Sequence, residues 1–332
     1  MQQTDIKTAA LGGTGMRISR VGFGAWAIGG GGWAHAWGEQ DDDASVEAIR
    51  HALESGVNWI DTAAVYGLGH SEEVVARALE PYGDADRPYV FTKGGLVWDD
   101  TDRGVAPRRS GAPASLRREV EASLRRLRTE RIDLYQMHWP AAEGVHEYWQ
   151  VLLDLKAEGK IRAVGLSNHD RGQLDAAEAL GHVDSLQPPF SLINRAAEDE
   201  ISWCQAHDTG VIVYSPMQSG LLTGAFTAQR AAMLPADDWR SRDPEFRGDR
   251  LYRNLALVDA LRPVADRHQT TVASIAVAWC LAHAGVTAAI VGARTPGQVD
   301  GWIGAPDVAL SPADLTTIAN AVRRTGAGHE GR

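Results

Sequence analysis

Short apolar segments alternate with amphipathic segments of helical length along nearly the whole chain of 332 residues. This alternation constrains the fold most, because repeated strand–helix units build a parallel sheet whose two faces are both covered. Eight apolar segments read as buried strands: 21–24, 57–60, 89–92, 132–137, 161–166, 183–187, 211–214 and 286–291. Eight units favour an α/β chain closed into a (β/α)8 TIM barrel. An open doubly wound sheet is the alternative.

The first helix is predicted from signals at both of its ends. Asp41–Asp43 supply an N-cap and the negative charge that favours a helix start. Val46, Ile49 and Leu53 then recur at helical spacing, and Gly56 is a natural stop. Further helices are predicted over 71–80, 113–128, 147–158, 170–179, 197–207 and 271–283.

The remaining segments complete a single-domain organisation over residues 1–332. Residues 8–19, TAALGGTGMRIS, predict an N-terminal β-hairpin with a Gly-rich turn that plugs the bottom of the barrel. The longest irregular stretch, 216–250, is typical of a functional loop or lid. We expect the tail over 325–332 to be mobile.

Composition excludes several classes of protein. A net charge of −10 gives no support to nucleic-acid binding, which usually needs a basic face. No apolar run approaches the roughly 20 residues that span a bilayer, and the N-terminus lacks the apolar core of a signal peptide. Cys204 and Cys280 read as core thiols, and no residues have convincing metal-ligand spacing. We therefore expect a soluble, cytoplasmic, metal-free protein. We expect a monomer, with a homo-oligomer as the alternative.

Polar residues recur at the carboxyl ends of the predicted strands, where the active sites of such barrels form. Asp61 follows the second strand, Lys93 the third and His138 the fourth. The later strands bring to the same rim Ser167, Asn168, Gln187, Tyr214, Ser215, Gly292, Ala293 and Arg294. Packing alone explains such a set poorly, so we predict an active site at this rim.

Asp61, Tyr66, Lys93 and His138 form a coherent set for proton transfer. Reduction of a carbonyl by hydride transfer leaves a developing alkoxide, which needs a proton donor and positive potential. An adjacent ammonium group lowers the pKa of a tyrosine, a carboxylate keeps that ammonium charged, and a histidine can orient the carbonyl. Each residue also has a structural explanation: a cap for Asp61, a half-buried ring for Tyr66, a surface amine for Lys93 and a core imidazole for His138.

Three segments carry a resemblance to a known family. WIDTAAVYG (59–67), FTKGG (91–95) and DLYQMHWP (133–140) resemble the catalytic segments of the aldo-keto reductase superfamily. The resemblance runs from LGGTGMRISRVGFGAW near the start to VGARTPGQVD near the end. It is greatest to bacterial members of the branch that contains general stress reductases and potassium-channel β subunits. It implies that Tyr66 is the general acid–base, tuned by Lys93 and Asp61, and that His138 orients the carbonyl.

The resemblance also implies a nicotinamide cofactor, NADPH/NADP+. Its carboxamide would meet Ser167, Asn168 and Gln187, its ring would stack on Tyr214, and Arg294 would contact the 2′-phosphate. The full set of expected cofactor contacts is Gly24, Ala25, Trp26, Asp61, Ser167, Asn168, Gln187, Tyr214, Ser215, Pro216, Met217, Ser219, Gly220, Leu222, Gly224, Gly292, Ala293, Arg294 and Gln298. The expected substrate pocket consists of Trp26, Tyr66, Trp98, His138 and Trp139. Core packing is the alternative for the three tryptophans.

The chain departs from the family pattern at several positions. Many members have a lysine in the segment that begins with Gly292 and an arginine where Gln298 stands, and both usually assist recognition of the 2′-phosphate. NADH therefore stays open as a cofactor. Trp302 stands where an Asn or Glu often contacts adenine, and His169 where an aromatic or hydrophobic residue is more usual.

The predicted function is reduction of aldehydes or ketones to alcohols, or oxidation of an alcohol or sugar in reverse, with NADP(H). The expected partner is a small carbonyl or alcohol substrate, with no nucleic acid or membrane. One alternative is a regulatory subunit that binds the cofactor with negligible turnover. A remoter one is a barrel hydrolase or isomerase that uses Asp61 and other carboxylates.

Overall fold

The computed structural model describes residues 6–83 and 86–328. Within these ranges twelve strands are formed: β1 Thr8–Ala10, β2 Arg17–Ser19, β3 Val21–Gly24, β4 Trp59–Asp61, β5 Tyr89–Gly94, β6 Leu96–Val97, β7 Arg108–Arg109, β8 Ile132–Met137, β9 Ile161–Ser167, β10 Ser185–Gln187, β11 Gly210–Val213 and β12 Ala288–Gly292. Eight of them, β3, β4, β5, β8, β9, β10, β11 and β12, form a closed parallel barrel. The predicted (β/α)8 fold is therefore confirmed, and the open sheet is excluded.

Helices lie between consecutive barrel strands and after the last one. In the described ranges they are α1 Asp42–Glu54, α2 His70–Leu79, α3 Pro113–Leu127, α4 Val145–Ala157, α5 Arg171–Glu178, α6 Glu198–Ala206, α7 Ala228–Ala232, α8 Gly248–Arg267, α9 Val272–Ala282, α10 Pro296–Asp300 and α11 Pro312–Thr325. Helix α1 begins as predicted, because the Asp41 side chain accepts a hydrogen bond from the Ala44 N–H.

Some strands begin later than predicted. The second barrel strand starts at Trp59 rather than at residue 57, because the Val57 N–H donates to the Ala52 carbonyl and so completes the end of α1. No helix was predicted over 248–267 or 312–325, where α8 and α11 lie. These two helices pack together with α9 around a second hydrophobic cluster beside the barrel.

The N-terminal hairpin is confirmed and lies at the bottom of the barrel. Strands β1 and β2 pair antiparallel, with Ala9 opposite Ile18. Leu11, Met16 and Ile18 are fully buried against inward-facing barrel side chains. We call this cluster the floor; its buried members are Leu11, Met16, Ile18, Trp59, Phe91, Leu134, Ala163, Ile212, Ala288 and Ile290. The floor closes the end of the barrel opposite the predicted site.

The irregular stretch over 216–250 contains short turns of 3-10 helix at Gln218–Thr223, Trp239–Ser241 and Pro244–Phe246. At the C-terminus, Ala327 is buried, and residues 329–332 of the predicted mobile tail lie outside the described residues. Among the residues that the structure describes, no helix is both long and apolar enough to cross a membrane.

Candidate active site

A cavity of about 1030 Å³ opens at the carboxyl ends of the barrel strands. It lies at the upper end of the size range of small-molecule sites, roughly 300–1,000 Å³. Most of the predicted site residues line it: Gly24, Ala25, Trp26, Asp61, Tyr66, His138, Trp139, Ser167, Asn168, Gln187, Tyr214, Ser215, Pro216, Met217, Ser219, Gly220, Gly292, Ala293, Arg294 and Gln298. The polar residues that end separate strands are thus brought to one cavity.

Asp61 and Lys93 form a buried ion pair below the cavity. The Lys93 Nζ donates to Asp61 Oδ1 at 2.5 Å and to the Thr62 carbonyl at 2.9 Å. The second Asp61 oxygen accepts from Gln187 Nε2 at 2.9 Å. Burial raises the pKa of Asp61 and lowers the pKa of Lys93, and in each group the charge of the partner opposes that change. The pair fixes one positive charge beneath the cavity wall.

Tyr66 lies above this pair, in a short turn that follows β4. Lys93 Nζ is 5.2 Å from the centre of its ring, and the ring of His138 meets it edge-on at 5.7 Å. The pKa of Tyr66 is raised well above its usual value, first by burial and then by the charge of Asp61. The sequence argument expected the ammonium group to lower this pKa; the net direction is the opposite, because desolvation of the phenolate dominates.

His138 follows the last residue of β8 and is almost fully buried. Burial and the nearby charge of Lys93 lower its pKa well below the usual value, so the imidazole is neutral. Its Nδ1 has no hydrogen-bond partner among the described residues. A neutral imidazole carries one N–H donor and one acceptor. The ring can therefore donate one hydrogen bond to an oxygen bound in the cavity.

The ends of β9, β10 and β11 are joined by a polar network. The Asn168 side-chain amide donates to the His138 carbonyl and to Ser167 Oγ, each at 3.0 Å. The Tyr214 hydroxyl donates to Asn168 Oδ1 at 2.8 Å, and Ser167 Oγ donates to the Gln187 carbonyl at 2.9 Å. The five residues of this network therefore hold one another at the cavity wall.

The segment from Ser215 to Gly220 curls around the cavity with left-handed backbone at Ser215, Gln218, Ser219 and Gly220. Within this turn the N–H groups of Gln218 and Gly220 donate to the carbonyls of Ser215 and Met217. The N–H groups of Ser215, Met217 and Ser219 are the ones that suit an anion. Two predicted contacts further along do not line the cavity. Leu222 is fully buried in the cluster of α8 and α9, and Gly224 packs against Val272.

Arg294 lines the cavity, but its side chain is engaged by the segment before α1. Its guanidinium donates to Gln40 Oε1 and to the Glu39 carbonyl, and its backbone N–H donates to Gln298 Oε1 at 2.8 Å. Burial lowers the pKa of Arg294, and so does the charge of Arg240. The side chain predicted to bind a 2′-phosphate therefore also fastens one wall of the cavity.

Aromatic rings form the wall nearest Tyr66. Trp26 stacks on Trp239 with ring centres 5.3 Å apart, and Trp37 meets both rings edge-on. Trp139 also lines the cavity, with the Arg109 guanidinium 4.6 Å from its ring centre. Trp98, predicted as a wall residue, does not line the cavity: its indole N–H donates to Asp100 Oδ1 at 2.9 Å.

Sequence reasoning missed several residues of the wall. Trp37 lines the cavity and comes from the loop that follows the glycine run over 29–32. Trp239, from the irregular stretch before α8, does not line the cavity but stacks on Trp26 from behind. Arg230 and Arg240 come from that same stretch and line the cavity. Their one signal was the unusual length of the loop, which indicates function without indicating which residues face inward.

Comparisons with known proteins identify the family and agree with the fold. A model described as "Aldo/keto reductase family" matches residues 20–323. An aldo-keto reductase of Bacillus subtilis is 38% identical over 290 residues, which cover 86% of this chain and 85% of that protein. An NADH-specific methylglyoxal reductase of Escherichia coli is 35% identical over 327 residues, 94% of this chain and 97% of that protein.

Solved structures include a close match to the whole chain. A glycerol dehydrogenase from Gluconobacter oxydans superposes with a TM-score of 0.86 at 37% sequence identity, covering 100% of this chain and 98% of that one.

Proposed function

Since the chain belongs to the aldo/keto reductase family, we propose that it is an NADP(H)-dependent oxidoreductase that reduces aldehydes or ketones to alcohols, or catalyses the reverse oxidation. The observation that carries this proposal is the cluster of Tyr66, His138 and the Asp61–Lys93 ion pair at one end of the cavity. This cluster combines a proton donor, a fixed positive charge and a neutral hydrogen-bond donor, which is the set that carbonyl reduction requires.

The residues of the cavity suit a nicotinamide dinucleotide. The network of Ser167, Asn168 and Gln187 offers amide and hydroxyl groups for the carboxamide, and the Tyr214 ring lies beside it. The left-handed segment Ser215–Gly220 offers backbone N–H groups for the pyrophosphate. The remaining wall, from Gly292 to Gln298, would hold the adenosine end. When bound, the reduced cofactor supplies the hydride that the carbonyl carbon accepts.

Tyr66 is the proposed proton donor. Because burial raises its pKa, its hydroxyl is protonated at neutral pH and can give its proton to the carbonyl oxygen. The phenolate that remains is stabilised by the ammonium group of Lys93, 5.2 Å from the ring centre. Asp61 holds that ammonium in place, and Gln187 in turn holds Asp61.

His138 is proposed to orient the substrate. Its pKa is lowered well below the usual value, so it remains a neutral donor that can hydrogen-bond the carbonyl oxygen without competing for the proton of Tyr66. The rings of Trp26 and Trp139 flank this end of the cavity and exclude water from the reacting atoms.

The proposal of NADP(H) rather than NADH rests on the positive charge of three arginines that line the cavity. Arg294, Arg230 and Arg240 all line the cavity, and Arg240 is paired with Asp238 at 2.6 Å. A 2′-phosphate would compete with Gln40 and the Glu39 carbonyl for the guanidinium of Arg294. The name of the Escherichia coli relative, an NADH-specific reductase, makes NADH the alternative that must be measured.

For the substrate we propose a small polar carbonyl or its alcohol. The names of two similar proteins, a methylglyoxal reductase and a glycerol dehydrogenase, support this class. For the location we propose the cytoplasm, which is supported by two free, buried thiols at Cys204 and Cys280. We propose that the chain acts as a monomer.

The test of the proposed function begins with binding. Tryptophan fluorescence would be followed during separate titrations with NADPH and NADH, and the same protein would then be assayed for oxidation of each cofactor with methylglyoxal. We expect saturable quenching, tighter with NADPH, and turnover that depends on the carbonyl. Tighter binding of NADH would leave the proposed oxidoreductase function standing but would overturn the role of Arg294 in binding a 2′-phosphate.

Replacing Tyr66 separates catalysis from binding. Tyr66→Phe removes the hydroxyl and keeps the ring, so we expect kcat to fall about 10²–10⁴-fold, the usual contribution of general acid catalysis. The Kd of the cofactor should change little. Unchanged turnover in this variant would refute the mechanism, and negligible turnover in the unaltered protein with tight cofactor binding would favour a regulatory subunit.

A further inference from the structure

A buried histidine–tyrosine pair lies directly behind the polar network of the cavity. His169 is 3% exposed and Tyr148, on α4, is fully buried. The two ring nitrogens of His169 are both engaged: Nε2 is 2.8 Å from the Tyr148 hydroxyl, and Nδ1 is 2.8 Å from the carbonyl of Ser167. His169 does not line the cavity, so the unusual residue after Ser167-Asn168 acts from behind the wall.

The direction of these hydrogen bonds follows from their chemistry. A carbonyl oxygen only accepts, so Nδ1 of His169 must carry the proton that it shares with Ser167. Burial lowers the pKa of His169 to about 4, so at neutral pH the ring is uncharged and Nε2 is an acceptor. The Tyr148 hydroxyl must then donate to Nε2. A single ordered chain of donors therefore runs from α4 to the backbone at the end of β9.

The residue between Ser167 and His169 needs this support. Asn168 has a φ of 64°, in the left-handed region, which asparagine enters more readily than other non-glycine residues but still at a cost relative to glycine. Its side chain nevertheless joins the carbonyl of His138 to the hydroxyl of Tyr214. A strained residue remains in such a conformation only when its neighbours hold the backbone on both sides.

We propose that Tyr148 and His169 are positioning residues: they fix the Ser167–Asn168 turn and, through it, the carboxamide site and the backbone of His138. This inference rests on the proposed function, because it assigns a purpose to the turn that would hold the nicotinamide. If the pair only filled space, its loss would lower the unfolding temperature and leave cofactor binding by the folded protein unchanged.

Three variants test the proposal in graded steps. His169→Phe keeps a ring and removes both hydrogen bonds. His169→Asn places an amide N–H where Nδ1 lies, so the bond to the Ser167 carbonyl can be kept while the bond to Tyr148 is lost. Tyr148→Phe removes the hydroxyl alone. Each variant would be measured for the Kd of the dinucleotide that the unaltered protein binds more tightly, for kcat and KM with methylglyoxal, and for its unfolding temperature.

We expect His169→Phe to raise the cofactor Kd about tenfold and to lower kcat about tenfold, each equal to about 1.4 kcal/mol. His169→Asn and Tyr148→Phe should each change both constants by about threefold, since a single neutral hydrogen bond contributes modestly. The KM for methylglyoxal should stay within twofold, because the pair does not touch the substrate.

A matched control is His207→Phe. His207 likewise has Nδ1 2.8 Å from a backbone carbonyl, but that carbonyl belongs to Trp203 on α6 and not to the Ser167–Asn168 turn. We expect it to leave Kd and kcat unchanged. A Kd and a kcat of His169→Phe within twofold of the unaltered protein would overturn the proposal. Should His169→Phe fail to fold, Tyr148→Phe decides: constants equal to those of the unaltered protein overturn it.

Failure of this inference can be told apart from failure of the proposed function. If the unaltered protein binds neither NADPH nor NADH, the proposed function fails and the inference with it. If the unaltered protein binds and reduces normally while all three variants match it, only the positioning role is refuted.

Discussion

The floor and the rim of the barrel are built from the same strands, but the floor consists of apolar side chains and the rim of polar and charged ones. On β4, Trp59 belongs to the floor and Asp61 to the rim; on β5, Phe91 and Lys93 divide in the same way. Residues two apart on a strand face the same side, so both members of each pair point into the barrel. Within two residues the interior changes from apolar packing to a buried ion pair.

Trp59 at the floor and two side chains at the rim also differ in how their polar atoms are paired. At the floor, the indole N–H of Trp59 donates to the Ser19 carbonyl at 2.8 Å. At the rim, Gln136 Nε2 and His138 Nδ1 are buried without a partner among the described residues. Buried polar atoms without partners cost stability. The floor therefore contributes to the free energy of unfolding, whereas the unpaired polar groups of the rim lower it and remain free to bind a ligand.

The largest effect on stability is expected at the floor. Trp59 is fully buried and packs against Gly22, so Trp59→Ala leaves a large cavity and should lower the free energy of unfolding by about 3–5 kcal/mol. Denaturant unfolding measures this change. Trp98→Ala, at a partly exposed ring, is the control and should cost much less. Equal losses in the two variants would contradict the role given to the floor.

The ion pair of the rim should respond to single and double replacement in different ways. Lys93→Met leaves the buried Asp61 carboxylate without its partner and should lower the free energy of unfolding by about 3 kcal/mol and abolish turnover. Asp61→Leu combined with Lys93→Met removes both charges. The double variant should be more stable than either single variant and still inactive. If it were the least stable of the three, the pair would be a source of stability.

Acid should destabilise the folded protein through two buried histidines at and behind the rim. His138 and His169 are neutral in the folded protein because burial lowers their pKa values, whereas in the unfolded chain each binds a proton near pH 6.5. The unfolded state thus binds more protons below pH 6.5, and stability falls as pH falls, by about 1 kcal/mol per pH unit for each histidine. For His169 this loss ends near its folded pKa of about 4.

Unfolding free energies measured between pH 7 and 4 check this dependence on acid. His169→Phe should flatten the slope by about one proton. A slope identical to that of the unaltered protein would contradict a neutral, buried His169.

The smallest effect is expected at Gln136. Its Nε2 is buried without a partner in the described part of the chain, while its Oε1 is 3.4 Å from Gln187 Nε2. Gln136→Met removes the buried, unpaired amide, so it should raise the free energy of unfolding by about 1 kcal/mol. It should also lower turnover, because Gln187 and Asp61 lose a neighbour that orients them. Gln150→Met, at an exposed glutamine of α4, is the matched control.

The barrel could be predicted from the sequence because its helices and strands carry local signals such as caps, turns and apolar spacing. The cap at Asp41 starts α1, and the hairpin over 8–19 carries its own turn. Asp61, Lys93 and His138 could be brought together because the carboxyl ends of parallel strands meet at one edge. That step needs only the order of the strands.

What could not be predicted depends on contacts between distant segments. Helix α8 follows the irregular stretch, and its buried Leu251, Leu257 and Leu261 are interspersed with charges, so its helical spacing was overlooked. The contacts of Arg294 with residues 39 and 40 join segments about 255 positions apart. The raised pKa of Tyr66 depends on how deeply the ring is buried, which no spacing reveals.

The closure of the barrel has a consequence for how the chain is made. Strand β3 pairs with β12, so Gly24 lies opposite Gly292. During synthesis the backbone groups on one edge of β3 have no strand to pair with until nearly 270 further residues have left the ribosome. Arg294 lies two residues beyond this seam and fastens the wall before α1. The binding cavity is therefore completed only near the end of synthesis, and nascent chains that lack β12 should depend on chaperones to protect the open edge.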